Sequence, residues 1–145
     1  MKMTIGEVSK KSGLSISTIR YYDKEGLFPD LQRTSGIRQF SEQEINALEV
    51  IECLKKSGLS ILEIRQFMDW TTEGAKTFAN RKALFEQQKI EVEQQMAELK
   101  RVSNLLNYKC WYYDEAMKRG SEKEVRAIPF DELPKAIQED FPFEH

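Results

Sequence analysis

Histidine and cysteine are nearly missing from this chain of 145 residues, which has one histidine, terminal His145, and two cysteines, Cys53 and Cys110. A metal site or a histidine-dependent catalytic centre therefore has little to be built from, and neither metal nor cofactor is expected. The cysteines lie far apart in no paired motif, which excludes a disulfide framework and fits a reducing compartment. No apolar run approaches about 18 residues, so no membrane span is expected. The opening "MKMTIGEVSKK" lacks an apolar signal core, and the expected location is cytoplasmic. No paired carboxylates, Cys–His pair or glycine-rich phosphate loop stands out, so an enzyme is not expected either. Proline and glycine are also absent from 79 to 117, where nothing interrupts a helix.

Charge is plentiful and uneven. Residues 1–40 hold seven Lys/Arg against four Asp/Glu, a balance of +3, and the remaining 105 carry −5. A mildly basic head on an acidic body suggests that a polyanionic partner meets the head.

Helix starts are legible in that head. Thr4-Ile5-Gly6-Glu7, Ser41-Glu42-Gln43-Glu44 and Ser60-Ile61-Leu62-Glu63 match the capping box, and Ser15 is a further cap after a turn at Gly13. The pattern predicts helices over about 4–11, 16–25, 42–56 and 61–69, with Ile45, Leu48, Ile51 and Leu54 forming the third helix's buried stripe. Between the second and third, "LQRTSGIRQF" reads as a small hairpin or wing turning at Thr-Ser-Gly. The fold class is mostly α: a winged helix–turn–helix over 1–70, a linker at 71–78, a long helix over 79–117 and a tail over 118–145.

In the long helix Phe85, Val92, Leu99, Leu106 and Tyr113 recur every seven positions. Lys89, Met96, Ser103 and Cys110 form the alternate seam position. This is a heptad pattern with two polar residues among the four alternate positions. A helix of roughly 58 Å at 1.5 Å per residue cannot bury such a stripe alone. Either it packs on its own domain or, the preferred reading, it forms a dimeric coiled coil through Phe85, Val92, Met96, Leu99, Leu106, Cys110 and Tyr113. The tail carries Pro129, Pro134 and Pro142, one short helix candidate near 131–140, and Trp111, Tyr112, Phe130, Phe141 and Phe143 near or within it. These aromatics either pack against the helix end or line a modest pocket.

The second helix, "STIRYYDKEGL", carries the chemistry. On a wheel of 100° per residue centred on Ile19, Ile16, Tyr22, Asp23 and Gly26 fall within about 60°. Ser17, Arg20, Tyr21 and Lys24 fall between about 100° and 200°. Tyr22 thus flanks the core with its hydroxyl able to reach outward, whereas Tyr21 projects fully. An outward face of serine, arginine, tyrosine and lysine on the second helix of a helix–turn–helix suits phosphate and base-edge contacts. Arg33 and Arg38 flank the wing's turn, placed for phosphates or the minor groove. The plainer reading is a solvated helix face.

"STIRYYDKEGL" and "RQFSEQE", with the residues around them from about 3 to 68, closely resemble the N-terminal half of MerR-family transcription regulators. The resemblance implies a winged helix–turn–helix homodimer, joined by an antiparallel coiled coil, on an inverted repeat in double-stranded promoter DNA. It implies bending and untwisting of an overlong promoter spacer, which acts on RNA polymerase indirectly through the DNA. By position, the implied contacts are Ser17, Thr18, Arg20, Tyr21, Tyr22, Arg33 and Arg38, with Lys24 on the same face. An effector-independent, excisionase-like DNA-bending protein is the alternative, disfavoured by the long helix.

The resemblance also implies an effector, expected to be a small molecule or an electrophile. Metal-responsive members of that family carry cysteines at the start of the dimer helix and beyond it, and no cysteine lies between 54 and 109 here. Drug-binding members append about a hundred residues or more, where about 28 follow the long helix here. "VIECLKKSGLSILEI" resembles a short subgroup responding to aldehydes and other electrophiles through one cysteine, which matches Cys53. Cys53 is either that sensor or a small buried residue of the third helix.

Overall fold

The structure, a computed structural model, describes residues 1–143 and contains two compact units, Met1–Glu91 and Val92–His145. Glu144 and His145, the end of the expected tail, lie outside the described residues.

In the first unit, Thr4 and Glu7 close a capping box that starts α1 (Ile5–Ser12). Gly13 ends α1 at φ 78, a left-handed conformation that a side chain would strain. The short turn leads to Ser15, whose hydroxyl accepts from the Thr18 amide at 3.1 Å and starts α2 (Ile16–Lys24). The wing follows as antiparallel strands β1 (Gln32–Thr34) and β2 (Ile37–Gln39), with Arg33 directly opposite Arg38. Its two-residue loop, Ser35 (φ 51) and Gly36 (φ 80), has the positive φ pair that matches strand twist in tight hairpins. Backbone bonds between Met3 and Phe40, of 2.7 and 2.9 Å, pin the wing's base to the start of the chain.

The Glu44 carboxylate accepts from both Ser41 N and Ser41 Oγ at 2.9 Å, opening α3 (Glu42–Lys56). Ser60 and Glu63 box the start of α4 (Ile61–Thr71). Leu48, Ile51 and Leu54 of α3 are buried with Ile64, Phe67 and Met68 of α4, over Val8, Ile19 and Tyr22 from the first two helices. Ile45 is half-buried at the edge of this core.

The expected linker at 71–78 is instead a built corner. α4 runs through Thr71, and a 3-10 turn occupies Gly74–Thr77. The buried Thr77 hydroxyl lies 2.8 Å from the Trp70 carbonyl and 3.0 Å from that of Gly74. Arg81 donates from Nε to Thr77 Oγ1 at 3.0 Å and from Nη2 to the Gly74 carbonyl at 2.9 Å. Sequence patterning missed this because side chains of the next helix satisfy the turn.

Helix α5 (Phe78–Arg119) has 42 residues. Its first turns belong to the first unit: the Phe85 ring meets Phe67 edge-on at 5.2 Å. Gln88 Nε2 donates to the Ser57 carbonyl and hydroxyl at 3.1 and 2.9 Å. In the second unit, α5 is followed by α6 (Glu122–Arg126), a 3-10 turn (Phe130–Glu132) and α7 (Lys135–Glu139). Tyr112, Val125 and Leu133 are buried there. The Tyr112 hydroxyl donates to Glu122 at 3.0 Å and accepts from Arg126 at 3.2 Å. The tail's aromatics pack on the helix end: Tyr108 meets Phe141 and Phe143 edge-on, and Phe130 meets Phe141 at 5.2 Å.

Candidate nucleic-acid interface

The N-cap at Ser15 orients α2, and burial of Ile19 and Tyr22 fixes its rotation, so the opposite face is outward. Ser17, Arg20, Tyr21 and Lys24 are exposed, with Tyr21 at 47%, and Thr18 is half-buried. The Ser17 and Thr18 hydroxyls both lie within hydrogen-bond reach of Ser15 Oγ, at 3.1 and 2.8 Å. Arg20 is exposed and makes no hydrogen bond or ion pair among the described residues.

Tyr22 must be reassigned. Expected as a DNA contact, it is 0% exposed, with its ring in the core. Its hydroxyl donates to Glu52 at 2.5 Å and accepts from Lys55 Nζ at 2.8 Å. Lys55 also stands 5.1 Å from the centre of the ring. Burial pushes the Tyr22 hydroxyl above its ordinary pKa, with the Glu52 bond adding and Lys55 opposing. The bond to Tyr22 raises Lys55 in turn. Tyr22 therefore ties α2 to α3 instead of touching a ligand. Its borderline wheel position left both roles open; the acidic and basic residues one turn apart on α3 were the missed signal.

The wing arginines are held as well. Arg33 Nη2 and Arg38 Nε both donate to Asp23 Oδ2, at 2.6 and 2.7 Å. The Asp23 side chain is 11% exposed. An aspartate within about 60° of the buried axis is a signal that sequence reading passed over, since nearly buried carboxylates need partners.

Cys53 is exposed, which removes the reading of it as a core residue. It lies about 200° around α3 from buried Ile51, on the opposite side of the helix. Cys110 is exposed too. Among the expected seam residues, Phe85, Met96, Leu99, Leu106 and Tyr113 are exposed, Leu99 at 68%, and Val92 is half-buried. Met117, at 75% exposed, continues the alternate seam one heptad past Cys110. Among the described residues no cluster of His, Cys, Asp or Glu has the makings of a metal site. No described helix is long and apolar enough to cross a membrane.

Comparison with known proteins agrees with this architecture. The family model described as MerR HTH family regulatory protein matches residues 3–70, and that described as MerR, DNA binding matches 45–107. An HTH-type transcriptional regulator of Haemophilus influenzae is 38% identical over 136 residues, covering 93% of this chain and 98% of that protein. Among solved structures, HiNmlR, a MerR family regulator lacking the sensor domain and bound to promoter DNA, superposes with a TM-score of 0.75 at 40% identity. That match covers 86% of this chain and 99% of that one. A MerR family transcriptional regulator from Bacillus thuringiensis gives a TM-score of 0.70 at 44% identity, covering 76% and 97%. With the recognition helix, the wing and the long helix in place, this chain belongs to the MerR family of helix–turn–helix transcription regulators.

Proposed function

We propose that the chain binds an inverted repeat in promoter DNA as a homodimer and controls transcription by deforming that DNA. The observation that carries this reading is the exposed α2 face of Ser17, Arg20, Tyr21 and Lys24, on the second helix of a winged helix–turn–helix. Arg20, free of internal partners, reaches base edges or adjacent phosphates; Tyr21 and Lys24 take phosphate and sugar. Arg33 and Arg38 grip flanking phosphates from the wing. Tyr22 contributes by holding α2 against α3.

The second copy covers the apolar stripe of α5 formed by Val92, Met96, Leu99, Leu106 and Tyr113, which water would otherwise wet. Two heads fixed at one spacing read two half-sites. Bending or untwisting the DNA between promoter elements costs on the order of a few kcal/mol, enough to change how RNA polymerase engages them.

Regulation enters through Cys53, whose exposed thiol is open to an electrophile. Run-off transcription from the promoter nearest this gene, with wild type and Cys53→Ser, each with and without a small aldehyde, tests this. Aldehyde-dependent activation that the substitution abolishes is the expected result. A response surviving Cys53→Ser removes the cysteine from the mechanism.

A further inference from the structure

Directly opposed arginines are an unfavourable cross-strand pair, and the wing places Arg33 opposite Arg38. A single carboxylate oxygen relieves the repulsion. Asp23 Oδ2 accepts from Arg33 Nη2 at 2.6 Å and from Arg38 Nε at 2.7 Å. The carboxylate comes from α2 itself, one residue past Tyr22 and one before Lys24, and lies almost out of solvent while Arg33 remains 46% exposed. Each guanidinium is a fork of five donors and spends one on Asp23, which leaves further donors on Arg33, 46% exposed, and on Arg38, 26% exposed.

We infer that Asp23 is a positioning residue for DNA recognition, which clamps the wing to the recognition helix and aims both wing arginines before DNA arrives. The inference rests on the proposed DNA-binding function. Its logic is preorganisation. A free arginine side chain samples many rotamers, and ordering it on binding lowers affinity, whereas a clamped one is already ordered. Arg20, without internal partners, is the contrasting case within the same face.

Asp23 also sets specificity. Binding to arbitrary DNA responds mainly to total positive charge and tolerates loose geometry. An operator complex needs each guanidinium at one phosphate, in register with the α2 side chains. Removing the carboxylate frees one more positive charge and disorders both arginines. It therefore strengthens the first kind of binding relative to the second.

The experiment uses the full chain with two duplexes of equal length, one from the region upstream of its own gene and one of scrambled sequence. Both are titrated over a range of salt with wild type and Asp23→Asn. The preference of Asp23→Asn for the upstream duplex should fall by about tenfold, the cost of ordering two arginines. Its salt slope should steepen by about one unit. An unchanged preference and slope would overturn the inference while leaving the DNA-binding function standing. A wild type with no preference between the duplexes would overturn both.

Circular dichroism establishes whether Asp23→Asn folds. If it does not, nitrogen-15 relaxation of the arginine Nε–H groups in free wild type decides. Arg38 as ordered without DNA as with it supports the clamp; Arg38 as mobile as Arg20 refutes it.

Discussion

Helices α2 and α5 both turn side chains outward, but of opposite kinds. The outer face of α2 is Ser17, Arg20, Tyr21 and Lys24, groups that donate hydrogen bonds or carry positive charge. Among the charged residues of its exposed surface, α5 carries Met96, Leu99, Val102, Leu106 and Met117, which donate nothing and lose little by leaving water. Beneath α2 lies a complete core fixed by Ile19 and Tyr22, so its exposed residues are presented on a rigid support. Along much of α5 the apolar stripe has no cover of its own. The first face suits a polyanion and the second a copy of itself, and one molecule needs both when its target is a repeated sequence.

The largest expected effects lie on α5. Leu99→Asp or Leu106→Asp places an unpaired carboxylate in the seam, at several kcal/mol in an apolar setting. Sedimentation should show monomers, and affinity for the upstream duplex should drop by more than about 100-fold as the paired heads separate. Dimers that survive both changes would refute the heptad assignment.

On α2, Arg20→Ala should cost about 1–3 kcal/mol on the upstream duplex and clearly less on the scrambled one in fluorescence anisotropy titrations. Equal losses would take Arg20 out of base reading.

Beneath α2, Tyr22→Phe should lower unfolding free energy by about 1–2 kcal/mol in denaturant melts, since Glu52 and Lys55 lose their shared partner. Tyr22 and Lys55 are both raised in the folded chain, Tyr22 chiefly by burial and Lys55 chiefly by its bond to Tyr22. Groups raised on folding stabilise fully below their ordinary values and lose that contribution as pH climbs through the folded ones. Stability should therefore hold through neutral pH and decline above about pH 10, less steeply in Tyr22→Phe. The smallest effect belongs to the wing: Arg38→Ala should weaken both duplexes, the upstream one about threefold more, and flatten the salt slope by about one unit.

The elements were legible in the sequence where their causes are local. Capping boxes at Thr4, Ser41 and Ser60 and the αL turn at Gly13 involve residues three or four apart, and each start follows from its own short segment. The outward residues of α2 followed from periodicity for the same reason. What stayed hidden depends on partners distant in sequence. Asp23 meets Arg33 and Arg38 across ten and fifteen residues, and Tyr22 meets Glu52 and Lys55 across thirty and thirty-three. Thr77 and Arg81 build a corner that reads as a plain linker. Helix α6 was missed because five residues are too few to show a period, although Ser121 capping Glu124 marks its start. Cys53 was left open between sensor and core residue, although its angle from Ile51 already placed it on the side of α3 away from the core.

Hydroxyl-radical footprinting of the full chain on the DNA upstream of its own gene tests the central claim most directly. Two protected patches related by a dyad, one for each α2 of a dimer, are the predicted result. A single asymmetric patch, or even protection without sequence preference, would contradict the account.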